Sequence, residues 1–407
     1  MNAKPFVASG ASRRFDIDHL RNAAVLLLIV FHSARLFDAE DWHIKDAGRY
    51  QAADLLVRGL NLMSMPLLFL VAGASIAWSM RTRSAAAFAR ERLARLLLPL
   101  AAGCVLFVLP QVWIERQAIG APGRSSPIDF DGGLLAFVPR FFECCYPQAN
   151  FSWHHLWFLA YLFSYSLALL PLLAIARRPL AQQVLARSAG WVNTAPRLLL
   201  LGLPLLAAEV ALRSSYPSTH ALAGDWANHA HYGLLVVLGW WLARSERPFA
   251  AAAAAWPMLA GATLVLTLLW LDAPRWAGAL APGWRGSVLL VVRVAGEWFW
   301  IATLLGLAWR HLDRPTWLTP FSRYAMPFYV IHQAVIVALG GWWLGWAGQP
   351  ALKYFAVAGL SAATTMLLCL LFERAVPMRW LLGMKPAPAA GRSAARRGGE
   401  AAAGGRA

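Results

Sequence analysis

Apolar residues gather into ten runs, measured against the roughly 20 mainly apolar residues a helix needs to cross a bilayer. They lie near 22–37, 54–80, 93–113, 153–176, 195–213, 230–246, 250–271, 287–309, 324–346 and 351–375. The pattern predicts an all-α, polytopic integral membrane protein with about ten transmembrane helices. An even number of crossings puts both termini on one side.

Basic residues between the runs choose that side. With both termini in the cytoplasm, 25 Lys and Arg fall on inner segments, nine on outer ones, and Arg35, Arg58 and Arg293 within spans. The positive-inside rule favours this orientation. Asp16, Asp18 and Arg21 crowd the entrance of the first run and no A-x-A site follows it, so it reads as a retained helix rather than a signal peptide. Residues 1–13 are expected as a cytoplasmic segment and 14–380 as the membrane domain. The Ala/Gly/Arg-rich stretch 381–407, ending GRSAARRGGEAAAGGRA, has no apolar period and is expected as a disordered cytoplasmic tail.

Composition agrees with the pattern. Of 407 residues 59% are hydrophobic and only 14% charged, and mean hydropathy is +0.50. The net charge of +17 would suggest nucleic acid in a soluble protein. Here the basic residues lie between membrane runs, so they point to the lipid bilayer as partner and not to nucleic acid. Cys104, Cys144, Cys145 and Cys369 show no metal-ligand spacing, and no metal site is expected; Cys144 and Cys145 stay unassigned.

Ionisable residues at membrane depth are the candidates for chemistry. Arg21 and His32 are eleven residues apart, which on a helix brings both to one face about 16 Å apart. His32 can serve as a general base or as a neutral packing histidine. Arg81, Arg83, Arg90, Arg92 and Arg95 follow the second run; they suit an anionic cofactor with several phosphates, or lipid headgroups and topology. Arg293 and Glu297 predict an intramembrane ion pair, with orientation of an imidazole as the minor role for Glu297. His154, His155, Trp153 and Trp157 open the fourth run, where aromatics usually form the interfacial belt. His332 lies in the ninth run, either packing there or lining the same cavity. His220, His229 and His231 lack the companions of a metal site.

Taken together, these segments resemble membrane-bound acyltransferase family 3, from about residue 14 to 375. DHLRNAAVLLLIVFH is similar to the family's first-helix motif, MSMPLLFLVAGAS at 63–75 to its second-helix signature, and Arg92-Leu-Ala-Arg95 to its Arg-x-x-Arg pattern. HLWFL at 155–159 and YVIHQ at 329–333 resemble two further blocks. The chain departs from a common first-helix form in having Asn22 where many members have glycine.

The resemblance implies ten helices, acyl-CoA taken from the cytosol, and an O-acyl group, acetyl or succinyl, delivered to a hydroxyl of a carbohydrate or glycolipid beyond a bacterial-type inner membrane. It carries catalytic roles to Arg21 and His32 and donor binding to Arg92 and Arg95. Arg90 is expected beside them, Glu297 as an aid to catalysis, and His155, Trp157 and His332 near the acceptor. No appended esterase-like domain is seen, which favours the branch modifying glucans and polysaccharides. The rival readings are a transporter or flippase with Arg293, Glu297 and His332 lining its path, and a sensor or scaffold without turnover.

Overall fold

The computed structural model describes residues 13–81, 83–117, 130–146, 148–343 and 348–384. The expected N-terminal segment up to residue 12 and the tail from 385 lie outside the described residues, as do residues 344–346 of the ninth run.

Every described regular element is helical. Eight helices are long and apolar enough to cross a membrane: α1 (Phe15–Ala34), α2 (Gln51–Ser79), α3 (Ala85–Gln117), α5 (Ala195–Leu212), α7 (Arg247–Leu271), α8 (Pro282–His311), α9 (Ala325–Trp343) and α10 (Pro350–Arg374). The two other expected spans form shorter helices, α4 (Trp157–Ala168) and α6 (Trp226–Leu242). α4 breaks at Leu169 before a helix Leu170–Ile175 that has proline in its first turn, where the missing N–H cannot continue the preceding ladder. α6 has 17 residues, about 26 Å of rise, slightly short of a hydrocarbon core of about 30 Å. Proline likewise opens α7, α8 and α10, at the position where an N–H would have no partner.

Without a hydrophobic driving force in lipid, the helices associate through close backbones and polar contacts. A methyl on Gly73 would lie 2.0 Å from the Val236 carbonyl oxygen, and one on Gly239 1.9 Å from that of Leu70, so α2 and α6 cross backbone to backbone. Thr263 and Thr303 hydrogen-bond at 2.8 Å between α7 and α8. Outward residues such as Leu264 and Leu268 of α7 and Leu367 and Leu371 of α10 remain exposed, as a lipid-facing surface requires.

α1 is central, packing against α2, α8 and α9. Asn22 is fully buried and donates to Leu318 O at 3.1 Å and Ser322 Oγ at 2.8 Å, tying α1 to the turn before α9. Past the other end of α1, Lys45 reaches Arg35 O at 2.7 Å, Glu40 O at 2.9 Å and the carboxylate of Asp38, while Lys353 of α10 holds Asp46 at 2.7 Å. Lys45 and Lys353 are both buried struts of this loop.

Candidate functional site

Near the C-terminal end of α1, three histidines from three helical segments meet. The ring of His32 is centred 5.1 Å from that of His332 on α9 and 6.4 Å from that of His155, just before α4; His155 and His332 are 5.0 Å apart. Main-chain carbonyls fix two of them. His332 Nδ1 donates to Tyr329 O at 2.7 Å, and His155 Nε2 to Val330 O at 3.1 Å. The nitrogens left over, His332 Nε2 and His155 Nδ1, are buried without a partner, and so is His32 Nδ1. A neutral imidazole that donates through one nitrogen presents a lone pair at the other. Two acceptor nitrogens therefore remain for a proton or a hydroxyl beside His32. Trp42 stacks on the His32 ring at 5.9 Å and 19°.

The cluster extends past Trp42. His43 Nδ1 bonds Glu115 Oε2 at 2.8 Å, its Nε2 meets the Gln333 amide at 3.0 Å, and the His154 ring lies 4.4 Å away, edge-on. His43, Glu115 and His154 bring potential metal-ligating atoms within 4.8 Å of one another, an arrangement absent from the sequence expectation, which rested on spacing along the chain. Glu115 is also held by Arg116 and Tyr146, each at 3.1 Å, so its charge is already met by a guanidinium. His43 and Glu115 are not singled out by the sequence; the adjacent Glu115 and Arg116 just past the third run are a signal for Glu115 alone.

The basic residues gather where α1 starts. Glu91 binds Arg92 Nη2 and Arg95 Nε, both at 3.3 Å, and also Arg83. A π-helical turn, Leu93–Leu97, begins directly after Arg92 and carries Arg95; such turns often mark functional positions. Arg92 lies on the Phe88 ring with Nε buried and unpartnered. Arg90 is exposed and makes no ion pair with a described residue, so the structure does not bring it into this group. Arg21 sits at the same end of α1 and pairs with Asp18 at 2.9 Å.

The expected ion pair of Arg293 with Glu297 forms at 4.0 Å, and Arg293 also binds Glu209 of α5, more closely, at 2.6 Å. Glu297 orients an imidazole as well, accepting from His231 Nε2 at 2.7 Å; His231 Nδ1 lies 3.1 Å from Glu209, and Arg213 grips Glu209 with two bonds of 2.6 and 2.8 Å. Among the described residues no hydrogen bond or ion pair links Glu297 to His32, and none links Arg293 or Glu297 to His332. The residues on that side are aromatic: Tyr232, beside His231, meets Trp157 and Phe69. Trp157 is buried in this layer, with His220 stacked on it at 4.1 Å, and makes no ring contact with His32.

The loop over Trp157 is ordered by Asp225, which accepts from Tyr161 at 2.5 Å, Asn228 at 2.9 Å and the His220 amide at 3.0 Å. Burial opposes charge on Asp225, but these bonds hold its carboxyl below the usual carboxylate range. Burial pulls His220 down to about 4; Arg213 adds to that and Asp225 opposes it. Cys104 and Cys369 are free and buried.

A family model described as an acyltransferase domain matches residues 14–374. No curated protein and no solved structure matches the chain.

Proposed function

The chain belongs to acyltransferase family 3, and from that premise we propose that this multi-pass membrane acyltransferase takes an acetyl or succinyl group from cytosolic acyl-CoA and delivers it to a hydroxyl of a carbohydrate or glycolipid acceptor. The branch acting on glucans and polysaccharides, and a bacterial-type inner membrane with both termini cytoplasmic, belong to the same reading. The observation that carries it is the convergence of His32, His155 and His332, with three buried unpartnered nitrogens, at the opposite end of α1 from the Arg83, Arg92 and Arg95 group.

Arg92 and Arg95 hold donor phosphates as guanidinium forks, with Arg21 at the same mouth. The pantetheine arm runs along α1, and the thioester reaches His32. In direct transfer, His32 removes the acceptor hydroxyl proton, the oxygen attacks the thioester carbonyl, the C–S bond breaks, and the departing thiolate takes the proton from the imidazolium. In the relay form, a neutral His32 nitrogen first displaces the thiolate, which takes the proton from the other ring nitrogen; the acceptor oxygen then attacks the acyl carbon and displaces the imidazole, which takes up the hydroxyl proton and returns to its neutral form. Both routes need a neutral His32. His155 and His332 receive the acceptor hydroxyl or steady the imidazolium through their free lone pairs.

Membranes given radiolabelled acetyl- or succinyl-CoA should label surface polysaccharide. His32→Ala should remove that label, a loss of at least about 10²–10⁴-fold, while the protein inserts and unfolds at its usual temperature. Retained transfer in His32→Ala would overturn the assignment.

A further inference from the structure

Where α1 starts, a cavity of about 690 Å³ lies among the ends of α2 and α6 and the segment joining α4 to α5. Arg81, Arg83, Arg177 and Arg244 line it, with Ser84 and Gln182 as neutral polar groups. Among the described residues, Arg83 alone of the four guanidinium groups has a carboxylate, Glu91. Among the same residues Arg81 and Arg177 bond to main-chain carbonyls, Ala243 O at 3.5 Å and Met80 O at 3.4 Å. Arg244 lies on the Trp240 ring at 4.6 Å, with its Nε buried and unpartnered.

Topology accounts for basic residues on this side of a membrane. It does not account for three uncompensated cations turned into one hollow, where they repel each other. The volume is within the range of about 300–1,000 Å³ that small-molecule sites occupy, and guanidinium forks match phosphate oxygens in pairs. Charge divides the basic residues into two groups that meet at Arg83, which lines the cavity and binds Glu91. Arg83, Arg92 and Arg95 less Glu91 leave two positive charges, matching a diphosphate bridge with one negative charge on each phosphorus. Arg81, Arg177 and Arg244 leave three, facing a demand for more negative charge on a single group. A phosphomonoester, with its second pKa near 6, carries close to two charges at neutral pH.

The geometry points to this cavity as the seat of the nucleotide end of the donor, with Arg81, Arg177 and Arg244 gripping the ribose phosphomonoester while Arg92 and Arg95 take the diphosphate. The assignment rests on the proposed use of acyl-CoA.

Calorimetric titration of the purified full-length protein with CoA and with 3′-dephospho-CoA tests it. The unsubstituted protein should bind CoA at least about tenfold more tightly, as expected for charge-assisted bonds. Arg177→Gln with Arg244→Gln should erase that preference and leave affinity for 3′-dephospho-CoA unchanged. The single substitutions, each checked by thermal unfolding, serve if the double variant does not fold. A preference that survives the substitutions, or a variant that loses both ligands alike, overturns the assignment while CoA remains the donor. Failure of the unsubstituted protein to bind either ligand overturns the donor itself. A repeat in nanodiscs with and without phosphatidylglycerol covers lipid headgroups: variants that lose stabilisation by that lipid yet keep the CoA preference would assign the cavity to lipid and overturn the inference.

Discussion

His332 is set up by its own helix. The Tyr329 carbonyl one turn back accepts a hydrogen bond from Nδ1–H and leaves Nε2 as the free acceptor beside His32. His332→Ala should therefore lower turnover by about 10–100-fold, the worth of one hydrogen bond to a charged partner, with little change in KM for acyl-CoA; steady-state kinetics separates the two. Glu297 belongs to a different network, so Glu297→Gln should act on stability. Breaking a buried ion pair costs about 3–5 kcal/mol, and the variant should melt well below the parent while molecules that remain folded keep most of their turnover. The sequence led to His32, His155 and His332 because an imidazole at membrane depth is conspicuous and the motifs around each are recognisable. The i,i+4 spacing gave the Arg293–Glu297 pair but not the closer partners, Glu209 for Arg293 and His231 for Glu297, which come from other helices. His43 and Glu115 escaped notice for a related reason: 72 residues separate them, and only folding makes them neighbours.

At the scale of helices, the α2–α6 crossing is the most exacting contact. Gly239→Ala would force a methyl against the Leu70 carbonyl, and over-packing costs about 1–3 kcal/mol or more. Gly261 in α7 has nothing within 4 Å of its would-be methyl, so Gly261→Ala should be neutral or stabilising by up to about 1 kcal/mol. Thermal unfolding in one detergent compares the pair. The loop before α6 supplies a pH dependence. His220 is held neutral down to about 4, whereas in an unfolded chain it takes up a proton near 6.5. The unfolded state then binds more protons between those values, so stability should fall as pH drops from about 6.5 toward 4 and level off below. His220→Gln should flatten that slope, even with Asp225 and Arg213 beside it. Hydropathy located eight long helices well. The fourth and sixth runs also form helices, but shorter ones than apolar content predicts, since it does not register a proline break or a helix end at 17 residues.

For the molecule as a whole, the basic mouth and the histidine cluster occupy opposite ends of one bundle. Arg92→Ala should raise the apparent KM for acyl-CoA about tenfold or more and leave the turnover of saturated enzyme nearly intact; an unchanged KM would remove Arg92 from the donor site. This polarity was legible in part, because Arg21 and His32 share one helix and their separation follows from helical rise. The cavity beside Arg244 was not, since its arginines come from three segments that become neighbours only on folding. α1 runs unbroken from Phe15 to Ala34, and it therefore acts as a ruler with no adjustable joint. One extra residue between positions 22 and 31 would lengthen it by only about 1.5 Å but swing the His32 imidazole by about 100°, out of register with His155 and His332. Angular phase, more than reach, is the dimension this helix keeps fixed.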